Sequence, residues 1–136
     1  MPETHIIYIS KIERADVKRN RNTIFIFGDN DQGKGYGGLA RETRGEPNAY
    51  GIRVKKKPTM EYDAFYTDEE YNENLRKITT DINNIIDVVN EKGDCVIMFP
   101  SKGIGTGLAS MSSKCPRTFK AMNLVLEGTL GIKNGE

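Results

Sequence analysis

The sequence predicts an α/β fold built on a mixed, largely parallel sheet, and three observations carry that prediction. Thr23–Phe27 (TIFIF) and Asp94–Phe99 (DCVIMF) are apolar runs without polar alternation, the pattern of strands covered on both faces. Between them lies a long amphipathic helix, from about Asp68 to Glu91, with Leu75, Ile78, Ile82, Ile85, Ile86 and Val89 on one stripe. Strands and helices alternate along the chain, which selects a layered α/β architecture over a bundle or a sandwich.

The elements follow in order. His5–Ile9 (HIIYI) is a short apolar strand, and the charged stretch Lys11–Asn22 has partial helical periodicity. Thr23–Phe27, β-branched and aromatic throughout, leads into a loop at Gly28–Gly38 and a short helix from Leu39 to Arg44. Asn48–Val54 (NAYGIRV) reads as a strand that runs into Lys55-Lys56-Lys57-Pro58, where regular structure breaks. Thr67 followed by Glu70 has capping-box spacing at the start of the long helix, and Gly93 ends it. Asp94–Phe99 stops at Pro100 and opens a second glycine loop, Ser101–Ser113. Pro116 suits the first position of a closing helix to about Glu127, with Gly128 as its stop. Residues 129–136 read as a short edge strand with a frayed tail.

Composition bounds the function. A chain of 136 residues, 37% hydrophobic and 29% charged, fits one ordered domain. No apolar run approaches the roughly 20 residues of a membrane span, and the first residues lack the apolar core of a secretory signal. Cys95 and Cys115 lie in different elements, so they read as reduced thiols in a cytoplasm. No cofactor or metal is called for. A net charge of +1 does not ask for nucleic acid. The charge is uneven, however: residues 1–60 hold 12 Lys+Arg against 7 Asp+Glu, and this basic part holds the densest glycine cluster. That pairing suits a small anionic ligand.

Both glycine loops directly follow buried-type strands. In parallel sheets ligands bind beyond the carboxyl ends of strands, so neighbouring strands would bring both loops to one crevice. In the first loop, FGDNDQGKGYGGLARE, Gly33, Gly35, Gly37 and Gly38 let backbone N–H groups converge on an anion. The helix after it adds its dipole. Gly28, Asp29 and Asn30 stand at the strand exit, and Asn30 both donates and accepts, which suits a sugar hydroxyl. In the second loop, FPSKGIGTGLASMSSKCP, Gly103, Gly105 and Gly107 alternate around Ile104 and Thr106, with Ser101 and Thr106 supplying hydroxyls. Gly33, Gly35 and Gly38 formally match G-x-G-x-x-G. The match lies six residues past the strand, and Lys55–Lys57 stand where an acid for the ribose belongs, so it is not a dinucleotide fingerprint. Tyr36, an aromatic within a glycine loop, is placed to cover a base or a ribose.

These residues carry a resemblance. Asn30 followed by Gly35-Tyr36-Gly37-Gly38-Leu39-Ala40, and Phe99-Pro100 followed by Gly103-Ile104-Gly105-Thr106-Gly107-Leu108, resemble the two ligand loops of macrodomains. The string GDN-x₅-GYGG-x-A-x₃-RGEPNA-x-GI is similar to that of small macrodomain-like proteins of phages and bacteria. The resemblance implies a three-layer macrodomain-like fold, with helices flanking the sheet, that binds ADP-ribose or a related nucleotide-diphosphate sugar. If the chain is an enzyme, the reaction is hydrolysis of an ADP-ribosyl or ribose-phosphate linkage, with Asn30 positioning the water and Asp29, which the family motif does not supply, as the nearby carboxylate to test. The family's adenine-reading Gly-Asp-Ile-Thr segment is missing, and Ala40 and Leu108-Ala109-Ser110 stand where hydrolytic members carry an Asp. Two other readings stay open: a non-catalytic binder that sequesters an NAD-derived nucleotide, and an interaction module for nucleic acid or protein built on Arg41, Arg44 and Lys55–Lys57.

Outside the loops, His5 is the single histidine and reads as structural. Cys115 at a helix start is the one thiol whose pKa a dipole would lower. Asp31 and Glu42 are further carboxylates near the first loop, and Lys55–Lys57 read as a solvated turn. Tyr62, Phe65, Tyr66 and Tyr71 read as core cover.

Overall fold

The computed structural model describes residues 3–135. Four strands, β1 (Thr4–Ile9), β2 (Ile24–Asn30), β3 (Ala49–Lys55) and β4 (Cys95–Pro100), form one sheet in the order β1-β4-β2-β3. Every pairing in it is parallel, so no antiparallel strand makes the sheet mixed among the described residues. An isolated antiparallel bridge joins Lys55 to Phe65. The helices are α1 (Arg14–Arg19), α2 (Ala40–Thr43), α3 (Tyr71–Lys92), α4 (Met111–Lys114) and α5 (Pro116–Leu130). None is long and apolar enough to cross a membrane.

The strand order fixes the layers. The steps from β1 to β2 and from β2 to β3 run one way across the sheet, and the step from β3 to β4 runs back. With right-handed crossovers, that reversal sends α1 and α2 to one face and α3 to the other. The contacts agree: α3 lies on β3 and α5, while α2 lies on β2 and α1. Ile24, Ile26, Ile52, Val54, Ile97 and Phe99 meet the α3 stripe of Ile78, Ile82, Ile85 and Val89 and the α5 residues Met122, Leu126 and Leu130. Each such side chain contributes about 1.5–3 kcal/mol by leaving water. Phe25 and Phe27 alternate to the opposite face, where Val17 and Ala40 are buried.

Several boundaries differ from the sequence reading for physical reasons. β2 continues through Gly28, Asp29 and Asn30, because Asp29 and Asn30 still find register partners in Arg53 and Lys55. The long helix starts at Tyr71; Asp68–Glu70 is a 3-10 turn, and Thr67 makes no side-chain cap. The Asp68 carboxylate turns instead to the start of α5, accepting the N–H groups of Arg117 (2.9 Å) and Thr118 (3.0 Å). α5 passes through Gly128, whose Cβ position is open, because buried Leu130 and Ile132 hold the chain beyond it; Gly131 ends the helix at φ 70°. The expected edge strand does not form in residues 131–135. That segment folds back along the molecule, with the Lys133 N–H donating to the Tyr8 hydroxyl at 2.8 Å. Within the aromatic cluster Phe65 and Tyr66 are buried, whereas Tyr62 is 93% exposed.

Candidate ligand-binding cleft

β2 and β4 pair only through Ile24–Ile97 and Phe25–Met98. Beyond those pairs the strands part, and the helices that follow them leave on opposite faces. A crevice outside the carboxyl ends of two adjacent strands is what this topology produces. A cleft of about 470 Å³ fills it, a size suited to a small molecule. Gly28, Asp29, Asn30, Gly35, Tyr36, Gly37 and Gly38 line one side; Ser101, Gly103, Ile104, Gly105, Thr106 and Gly107 line the other.

The first loop is held by its own polar side chains. Asn30 Oδ1 accepts the Gln32 N–H at 3.0 Å, and its Nδ2 donates to the Lys34 carbonyl at 2.7 Å. The Asn30 amide thus acts as an Asx-type staple for the turn. Asp29 Oδ1 accepts the Asn30 N–H and an Arg44 guanidinium N–H, both at 2.7 Å. Arg44 also donates to the carbonyls of Gly35 (2.8 Å) and Lys34 (3.2 Å) and lies over the Phe27 ring at 5.4 Å. Both residues read as catalytic are therefore committed to internal bonds. Gly35 has φ 91°, and a Cβ there would sit 2.8 Å from Pro58, so only glycine fits. The dipole expected at this loop is small, because α2 is a single turn.

The second loop is held from outside. Asn134 accepts the Ile104 N–H at 2.8 Å, donates to the Ile104 carbonyl at 3.0 Å, and donates to Asn123 Oδ1 at 2.7 Å. The Met111 N–H donates to the Gly105 carbonyl at 2.9 Å, so α4 begins where the loop ends. Gly105 has φ 75° and would place a Cβ 2.4 Å from Met111 Sδ. The Thr106 hydroxyl donates to the Lys102 carbonyl at 2.8 Å, so it serves the loop before any ligand.

What the loops leave free is backbone. Among the described residues, the N–H groups of Gly35, Tyr36, Gly37 and Gly38 have no protein acceptor, nor do those of Gly105, Thr106, Gly107 and Leu108. The lining also carries Lys11, Lys34, Arg41, Arg44, Lys55 and Lys102 against Asp29 and Glu42. Tyr36 (66% exposed) and Leu108 (60% exposed) rise from opposite loops at the mouth, and Leu108 Cδ1 closes on Gly37. The cleft lining thus combines two runs of backbone N–H groups without protein acceptors and an excess of cationic side chains.

Sequence reasoning missed two parts of the wall. Ser10, Lys11 and Ile12, just past β1, line the cleft; their position beyond a strand at the same edge was the available signal. Lys55, read as part of a solvated turn, is buried. The remaining candidates lie elsewhere or are spoken for. Asp31 accepts the buried Tyr66 hydroxyl (2.6 Å) and the Lys77 ammonium (2.7 Å), and Glu42 accepts the Arg14 N–H (3.1 Å). Cys115 is fully buried, and burial pushes its thiol up to about 12, the reverse of an activated thiol. His5 is exposed on β1 and outside the cleft lining. No cluster of metal-ligating side chains occurs among the described residues.

A family model described as a family of unknown function (DUF7831) matches residues 7–124. The chain belongs to that family. The matched span runs from β1 to within α5 and holds both glycine loops, while Asn134, the latch of the second loop, lies beyond it. Neither a curated protein nor a solved structure gives a match.

Proposed function

We propose that this DUF7831 chain binds ADP-ribose or a related nucleotide-diphosphate sugar in the cleft between its glycine loops, as a macrodomain-like protein. The observation that carries the reading is the pair of unpartnered N–H runs, Gly35–Gly38 and Gly105–Leu108, in the two loops that line one crevice. Fixed amide dipoles suit a diphosphate, whose charge is spread over several oxygens. Tyr36 and Leu108 at the mouth supply apolar cover for a ring or a ribose.

Binding is favoured over hydrolysis. Asp29 Oδ1 is bound to Arg44 and the Asn30 amide to its own turn, so the bonds recorded for both residues serve the first loop. The reading includes a reducing, cytoplasmic setting, supported by two free cysteines.

Calorimetry with ADP-ribose, NAD and ADP tests it, with micromolar affinity for ADP-ribose expected. Gly107→Leu is the matched control. Gly107 lies outside the left-handed region, its Cβ position is open and it lines the cleft, so the variant folds and adds a bulky side chain to the lining. Affinity for ADP-ribose should fall by about tenfold or more. Absence of heat at millimolar ligand, or equal binding by the variant, overturns the reading. Product beyond one equivalent from an ADP-ribosylated substrate would make the chain an enzyme.

A further inference from the structure

We infer that Lys55 is the anion-anchoring cation of the cleft, held without a protein counter-ion so that a negatively charged group of the ligand supplies it. This rests on the binding reading above and names the side chain that secures the ligand's charge.

Three successive lysines show the contrast. Lys56 pairs with Glu70, and Lys57 pairs with Asp63. Lys55, the most buried of the three at 7% exposure, has no carboxylate partner among the described residues. Its Nζ donates to the Thr59 carbonyl, approaches Met60 Sδ at 3.5 Å, and sits 5.0 Å from the centre of the Phe65 ring. The third ammonium proton has no acceptor there. The charge that shares the Phe65 ring is another cation, Lys114, whose Nζ is 4.9 Å from its centre.

Burying an ammonium with no anion is unfavourable, and burial accordingly lowers the Lys55 pKa. Lys56 is relieved of that cost by its pairing with Glu70. The placement is informative instead. Lys55 ends β3 opposite Asn30 and lines the cleft together with Pro58, which closes on Gly35 of the first loop. Its rivals are poorly suited. Arg44 is bound to Asp29, while Lys11, Lys34 and Lys102 are exposed and screened by water. Lys55 is thus the buried cation without a carboxylate partner among the residues that line the cleft. Phosphate and carboxylate both meet that requirement.

The test uses wild-type protein, Lys55→Met and two probes, ADP-ribose and inorganic pyrophosphate. Calorimetry should show both probes bound at least about tenfold more weakly by K55M. The melting temperature of the ligand-free variant should equal or exceed that of wild type, because a buried unpaired charge has been removed; a merely structural lysine would lower it. Independently of any variant, the Lys55 ammonium resonance of ¹⁵N-labelled wild type, assigned through its side-chain carbons, should shift on titration with pyrophosphate. A K55M protein that binds within twofold of wild type, or a Lys55 resonance that stays still at saturation, overturns the assignment and leaves the cleft reading intact. Wild type that takes up neither probe overturns the cleft reading itself.

Discussion

Arg44 donates to the Asp29 carboxylate and to the carbonyls of Lys34 and Gly35, so one guanidinium ties the end of β2 to the loop that follows it. The pair is 15% and 18% exposed at its side chains, which puts it well inside the screened surface. Arg44→Met keeps the stem over Phe27 and removes every one of these donors. It leaves Asp29 charged and half-buried, a loss of about 2–3 kcal/mol. Chemical denaturation measures that loss, and calorimetry should show ADP-ribose binding reduced with it. A variant as stable as wild type would mean that the Asn30 staple alone holds the turn. The glycine positions of this loop are visible in the sequence, but its fastening is not: Arg44 lies ten residues beyond Lys34, and nothing in the local pattern distinguishes it from Arg41, which is exposed. Lys55 illustrates the same limit, since three identical neighbours acquire different surroundings only when the bridge to Phe65 forms.

Asp68 sits in the turn before α3 yet serves α5, through the N–H groups of Arg117 and Thr118 and the Thr118 hydroxyl. Burial acts to raise its carboxyl, but these donors outweigh burial and hold it below its ordinary value. A carboxyl with a lower pKa in the folded than in the unfolded chain stabilises the fold above its unfolded value of 3.8 and loses that contribution as pH falls through the folded value. Asp68→Asn should therefore cost about 1–2 kcal/mol at neutral pH and progressively less in acid. Urea midpoints at pH 7 and pH 3 for both proteins check this; a gap that does not narrow refutes it. At this scale the sequence is read well where burial sets the pattern. The α3 stripe and the β2 and β4 cores stand as periodicity places them. Helix ends are read poorly, because Asp68 caps a helix that starts 48 residues later, and Gly128 yields to the burial of Leu130.

Across the whole molecule, the β1–β4 ladder joins the β2–β3 ladder through two residue pairs only. β1 is an edge strand, and His5, Ile7 and Tyr8 are exposed. Hydrogen exchange should find the β1 amides opening at about tenfold or more above the rate of those of β2, without global unfolding. Equal protection in both strands would make the sheet one cooperative unit. The convergence of the two loops was legible as soon as their strands were taken as neighbours, since parallel strands present their exits on the same edge. The latch at Asn134 was not, because residues 129–136 offer no periodicity in the sequence, and the path of residues 131–135 is set by hydrogen bonds to Ile104, Asn123 and Tyr8.

The register that pairs Thr4 with Cys95 and Ile9 with Pro100 also sets an order of events during synthesis. β1 leaves the ribosome with nothing to hydrogen-bond to until β4 follows, a delay of roughly 5–20 s at ordinary elongation rates. Through that interval Ile6, Ile7 and Ile9 travel as an unmatched apolar ribbon. The nascent chain is thus open to chaperone capture at β1, whose ladder closes only after β4 has emerged.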